Sequence, residues 1–154
     1  MHFAFTPEAL AIRDSVRALL LRECTPGRVR EAWSNAGGRV PGLWEHLAAL
    51  GVPGMLAPVE RGGLGLTELD LVLVMEESGR FAMPEPLVET AAVAVPLLRD
   101  VEARELLQSV TSGAKVVAVG LAEAPFVVGA DTADILLMEQ AGEVHALERS
   151  ACRL

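Results

Sequence analysis

The residues of this chain whose types and spacing could do chemistry form four groups, and each has an ordinary structural use. Gly62-Gly63-Leu64-Gly65 has the glycine density of a phosphate-binding loop. It follows no strand pattern, lacks GxGxxG spacing and has no Lys-Ser/Thr after it, so its glycines read as turn formers. His2, His46 and His145 are scattered, with no helical i,i+4 or short-loop ligand partner, and no metal site is expected. Glu76 and Glu77 are adjacent carboxylates, but neighbours on a helix point about 100° apart. They fit an ion pair or a solvated edge better than an acid/base dyad. Cys24 and Cys152 lie far apart without CxxC spacing, so neither a redox motif nor secretion is indicated. No catalytic residue is expected from these groups.

The elements that would carry such groups are mostly helical. Thr6 reads as a helix N-cap, with Pro7 at the first helical position and Glu8 near the positive end of the dipole. Ala9, Ile12, Val16 and Leu19 then form one apolar face of a helix running to about Glu23, ending before Pro26-Gly27. A second helix is expected over 28–34, closed by Asn35 and the Gly37-Gly38 pair. Pro41-Gly42-Leu43-Trp44 opens a third, with Leu43, Trp44, Leu47 and Leu50 on its apolar side and Gly51 as its C-terminal cap. Val52 to Leu66 is rich in Pro and Gly, and at about 15 residues it is long enough to suspect function. Thr67 and Asp70 then form a short-armed capping box, with Leu66 stapled against Leu71, for a nearly fully buried helix. Pro84 and Pro86 introduce another helix carrying Leu87, Ala91, Val95 and Leu98, which Pro96 kinks or divides. A last helix is expected over 101–111, with Leu106, Leu107 and Val110 inward, ending at Gly113.

After Gly113 the period changes. Lys115–Leu121, Ala133–Met138 and Glu143–Leu147 are short and β-branched or alternating, with Ala141-Gly142 between the last two. The fold class is therefore mainly α: about six helices in an orthogonal, bundle-like array, followed by a short β segment. An independent sheet domain usually has more strands and a second layer, so this β segment is expected to be incomplete, with edges that seek partners. A homo- or hetero-oligomer made through the C-terminal segment is the consequence.

Composition narrows the partners. The 154 residues are 51% hydrophobic, enough for one domain with a real core, and the formal charge of −8 comes from 21 acidic against 13 basic residues. With no basic run there is no footprint for nucleic acid. The longest apolar stretch is far short of the roughly 18 residues that span a bilayer, and the N-terminus has no basic-then-apolar leader, so the cytoplasm is the default location.

One long pattern resembles a known family. Trp44…Leu47-Ala48…Leu50-Gly51…Gly54…Pro58…Gly62-Gly63…Gly65…Glu76-Glu77…Gly79-Arg80 is similar to the N-terminal helical domain of the acyl-CoA dehydrogenases. The likeness extends upstream to Phe5-Thr6-Pro7-Glu8 and downstream through Pro86-Leu87…Glu89-Thr90-Ala91 to the transition after Gly113. It implies a helical domain over residues 1–113 and the start of a middle β domain over 114–154. It also implies α,β-dehydrogenation of an acyl-CoA thioester, in which a carboxylate removes the α proton and the β hydrogen passes as hydride to FAD. The family's Glu base comes from a C-terminal domain, so this chain alone is expected to be inactive.

The resemblance also nominates residues. A Thr-Glu-Pro…Gly-Ser-Asp pattern that family members carry near the flavin is similar to Ala122-Glu123-Ala124-Pro125…Gly129-Ala130-Asp131 here. Glu123 is then the candidate cofactor-binding residue, while Ala122 and Ala130 stand where hydroxyls would be, and FAD is not expected on this chain alone. The helix after the Gly79-Arg80 turn lines part of the family's acyl cavity, which makes Phe81, Met83 and Leu87 the substrate-pocket candidates. Three readings follow: the N-terminal part of a flavin-dependent acyl-CoA dehydrogenase, a non-catalytic subunit or assembly module of a heteromeric one, or a stand-alone helical acyl- or lipid-binding domain.

Overall fold

A computed structural model describes residues 4–101, 103–121 and 126–152. Thr6 and Thr25 each accept a hydrogen bond from a backbone N–H three residues on, Ala9 at 3.1 Å and Arg28 at 3.4 Å, and each is followed by proline. These two caps start α1 (Pro7–Glu23) and α2 (Pro26–Ser34). The second helix thus begins at Pro26, two residues before the expected start, because Thr25 and Pro26 repeat the signal of Thr6 and Pro7. Helix α3 (Leu43–Ala49) buries Leu43, Trp44 and Leu47, and Gly51 follows it with φ of +74°.

The first half of the segment from Val52 to Leu66 is buried and its second half lies over it, largely exposed. Two single 3₁₀ turns, Val52–Gly54 and Val59–Arg61, fold it back on itself, and Leu64, Gly65 and Leu66 donate to the carbonyls of Gly54, Ala57 and Met55. Met55, Leu56 and Ala57 consequently sit in the core. Helix α4 (Glu68–Arg80) starts where Asp70 Oδ2 accepts from the Thr67 N–H at 2.9 Å and from the Thr67 hydroxyl at 2.7 Å. It packs along α1, burying Leu71, Leu73, Val74 and Glu77. The expectation of a nearly fully buried helix is corrected here: Leu69 and Val72 are 71% and 53% exposed, since only one side of α4 meets α1 and the core.

Pro96 divides the next helix in a specific way. Residues Val88–Ala94 form a π-helical stretch that runs directly into α5 (Val95–Asp100), with the Val95 N–H reaching back to the Thr90 carbonyl. Proline has no N–H and its ring strikes the carbonyl four residues back in an α-helix; the wider π turn makes room for it. Val101 and Ala103 donate to Leu97 and Leu98 and so close α5, which is why α6 (Arg104–Thr111) starts three residues later than expected. Leu107 and Val110 are its buried residues, Leu106 is half-buried, and Gly113 turns the chain with φ of +75°.

Strands β1 (Val117–Gly120), β2 (Ile135–Gln140) and β3 (Glu143–Glu148) form one sheet in that order. The first pair is parallel, the second an antiparallel hairpin through Ala141 and Gly142, both at positive φ as a tight two-residue turn requires. Alternation divides the sheet's faces. Val117, Ile135 and Leu137 join the helical core, while Ala118 and Leu136 pack with Ala130 and Ala133 on the far side. Every residue of β3 is exposed.

Candidate functional site

Two ion pairs, each with a buried carboxylate and a partly exposed arginine and each joining segments distant in sequence, hold the region around the Arg80 turn. Arg17 of α1 donates from Nε and Nη2 to both oxygens of Glu77 on α4, at 3.0 and 2.5 Å, and the carboxylate is only 1% exposed. This planar two-bond pairing is the strong form of a charge-assisted hydrogen bond. Glu76, by contrast, is exposed and meets Arg80 at 3.4 Å. The adjacent carboxylates thus serve as ion pair and solvated edge, as their spacing suggests.

The Arg17 hydrogen bond holds the Glu77 carboxyl below its ordinary value near 4.5, so the pair's contribution is fully present above that pH and is lost as pH falls through the depressed value. The urea midpoint of the native protein should exceed that of Glu77→Gln most at neutral pH. The gap should close on acidification below about pH 4.5. Glu85 has the opposite sign but is common to both proteins and cancels. A gap that stays constant from neutral to acid pH would contradict this role for Glu77.

The second pair involves Glu85, whose side chain is fully buried between the Arg80 turn and the 35–42 loop. It accepts from Arg39 Nε at 2.6 Å and from the Val40 N–H at 3.0 Å. Burial pushes its carboxyl up from the usual range, against the pull of Arg39 and the Val40 N–H. Arg39 also lies 5.3 Å from the centroid of the Trp44 ring, and the Trp44 indole N–H donates to the Gly113 carbonyl at 2.9 Å. Glu85, Arg39, Trp44 and Gly113 therefore form one continuous tie from the π-helical stretch to the start of the sheet. Nothing local in the sequence marks Arg39 or Glu85, which are 46 positions apart.

The three pocket candidates fall in three different places. Leu87 is 1% exposed and belongs to the core. Met83 lines a cavity of about 450 Å³ at the junction of the helices with the loop after β1, together with Asn35, Arg39, Glu85, Glu89, Val128, Asp131 and Thr132. Phe81 lines a separate cavity against α1 and α2. All three belong to or pack against the main core cluster.

Glu123 and its neighbours Ala122, Ala124 and Pro125 lie outside the described residues. The remainder of the same motif borders a shallow apolar cavity formed by Phe126, Val127, Ala130, Asp131, Leu136, Met138, Leu147 and Cys152. Ala130 presents a methyl group, Asp131 a negative charge, and the nearby Thr132 hydroxyl donates to the Gly129 carbonyl at 3.3 Å. Among the described residues no cation lines this cavity, whereas the pyrophosphate of FAD calls for donors or positive charge. These residues do not by themselves fit a flavin. In Gly62-Gly63-Leu64-Gly65 a Cβ on Gly63 would lie 2.1 Å from the Ala57 carbonyl oxygen, so close backbone packing explains that glycine. Among the described residues no three His, Cys, Asp or Glu side chains converge as a metal site requires, and no helix is long and apolar enough to cross a membrane.

Comparison with known proteins places these features in a wider set. The acyl-CoA dehydrogenase N-terminal domain family matches residues 6–105. The acyl-CoA dehydrogenase IpdE2 of Mycolicibacterium smegmatis is 34% identical over 127 residues, which cover 82% of this chain and 40% of that protein. Among solved structures, the ChsE4-ChsE5 complex from Mycobacterium tuberculosis superposes with a TM-score of 0.82 at 21% identity, covering 96% of this chain and 49% of its counterpart. Butyryl-CoA dehydrogenase from Megasphaera elsdenii does so with a TM-score of 0.74 at 16% identity, covering 96% and 50%. The chain spans less than half the length of the curated relative that it matches.

Proposed function

The chain belongs to the acyl-CoA dehydrogenase family, and from that premise we propose that it is the N-terminal part of a flavin-dependent enzyme that introduces an α,β double bond into an acyl-CoA thioester. In this reading residues 1–113 are the helical domain and 114–154 open the β domain. The chain's part is to build and brace one wall of the substrate site, with Met83 facing the acyl group at the junction of the two. The reacting groups and most of the FAD site come from other polypeptide.

The observation that carries this reading is that every buried carboxylate among the described residues is already engaged. Glu77 is held by Arg17, Glu85 by Arg39 and the Val40 N–H, and Asp70 by Thr67. Each of these carboxylates is tied to a structural partner and buried, so none is free to reach the α carbon of a bound thioester. The experiment is acyl-CoA-dependent reduction of an artificial electron acceptor by the purified chain with added FAD. We expect no rate above the blank; turnover by the chain alone would overturn the proposal.

A second reading, a non-catalytic subunit within a heteromeric enzyme, is favoured by Ala130 and by a cavity beside it that no cation lines among the described residues. The similar ChsE4-ChsE5 structure is a complex of two components, which supports the same direction. The exposed β3 strand offers a place for such a partner. Recovery of an equimolar complex with a longer acyl-CoA dehydrogenase chain would favour this reading over the first.

A further inference from the structure

We propose that the cavity between α1, α2 and the Arg80–Ala82 turn is a binding site for a small hydrophobic carboxylate. The cavity encloses about 430 Å³, in the range of ligand-sized clefts. Its floor is apolar and well packed, formed by Cys24 and Val29, and Phe81 closes one wall. Two large apolar side chains on its rim, Leu21 and Trp33, are 62% and 68% exposed, so water is excluded from neither until something fills the space between them.

Charge decides the ligand class. Arg30 and Arg80 both line the cavity, and no acidic side chain does. On the same two helices Arg22 and Arg28 are spent on Glu23, the former at 2.8 Å. Arg30 has no ion-pair partner among the described residues, and Arg80 is paired only loosely, at 3.4 and 3.6 Å from Glu76 and Glu77. In a chain of net charge −8, the Arg30 guanidinium, with Arg80 held only by long contacts beside it, makes a place where an incoming carboxylate is attracted and can accept hydrogen bonds. An uncharged or cationic guest would leave Arg30 as it is. The turn that shapes the mouth is held against its preference: Ala82 has φ of +48°, a left-handed conformation uncommon outside glycine, and such positions gather at ligand sites.

The geometry supplies its own reporter. Trp33 stands on the rim and Trp44, the chain's other tryptophan, is buried on the Gly113 side. Titration of the full chain with decanoate should shift Trp33 emission to the blue, saturably. Arg30→Gln, a substitution at an exposed position checked for unchanged circular dichroism, should weaken that binding about tenfold, as loss of a charged hydrogen bond implies. Decanol should bind as weakly to the native chain as decanoate does to Arg30→Gln, and Trp33→Phe should abolish the signal. Absence of a saturable shift with decanoate, or equal binding of decanol and decanoate, would overturn the proposal. So would a Trp33 shift that follows protein concentration without ligand, since a second copy would then be the occupant.

Discussion

Replacing Gly63 by alanine should destabilise the chain by more than about 3 kcal/mol, at the upper end of what overpacking costs. The added Cβ would stand 2.1 Å from the Ala57 carbonyl oxygen, 2.5 Å from its carbon and 2.6 Å from its Cβ. Two of these three obstacles are backbone, and the Ala57 carbonyl is itself fixed by a 2.8 Å hydrogen bond from the Gly65 N–H. Relief therefore requires moving the buried Met55–Ala57 strip out of the core. Gly62→Ala is the matched control. There the φ of +81° is the only obstacle, with the nearest atom, Thr111 Oγ1, at an ordinary 3.5 Å, so the cost should be about 1–2 kcal/mol. Urea unfolding of the two variants checks the order; a Gly63→Ala protein as stable as Gly62→Ala would mean that the loop is not packed as described.

Truncation of Glu85 to alanine should be the next largest effect. It leaves the buried Val40 N–H without an acceptor and Arg39 without its counter-charge. Removing one member of a buried pair is costly, and because the Arg39 side chain keeps 24% exposure we place the loss at about 2–4 kcal/mol. Glu85→Gln keeps an acceptor for Val40 and the shape of the side chain, and burial already opposes the ionised carboxyl there. Its loss should be less than half that of the alanine variant. The same tie runs through Trp44 to Gly113, so Glu85→Ala should also perturb Trp44 fluorescence. Equal destabilisation by both variants would show that charge, not the hydrogen bond to Val40, is what the site needs.

The sequence made some of this legible and hid the rest for physical reasons. Local signals were readable: Thr6-Pro7, Thr67 with Asp70, and the punctuation at Gly51 and Gly113 each act within a few residues, and the helices and strands follow them. Helix boundaries shifted where two signals competed, as at Thr25-Pro26, or where carbonyl capping by Val101 and Ala103 prolonged the previous helix. The exposure of Leu69 and Val72 could not be read, since apolar residues on all sides of a helix do not say which sides have neighbours. Nor could the site's long-range ties. Arg17 with Glu77 spans 60 positions and Arg39 with Glu85 spans 46, and neither carries a local spacing rule. Phe81, Met83 and Leu87 differ in what they line: Leu87 is core, while Met83 and Phe81 each border a cavity, and no local spacing rule separates these uses.

In the reading proposed above, this chain frames an acyl-CoA dehydrogenase site without holding the flavin or the base. The absorbance spectrum of the purified chain, with FAD added and then with acyl-CoA under anaerobic conditions, tests it most directly. The expected result is a colourless protein, a free-FAD spectrum unchanged by the chain, and no bleaching by acyl-CoA. A yellow protein whose flavin is bleached on addition of acyl-CoA would contradict it.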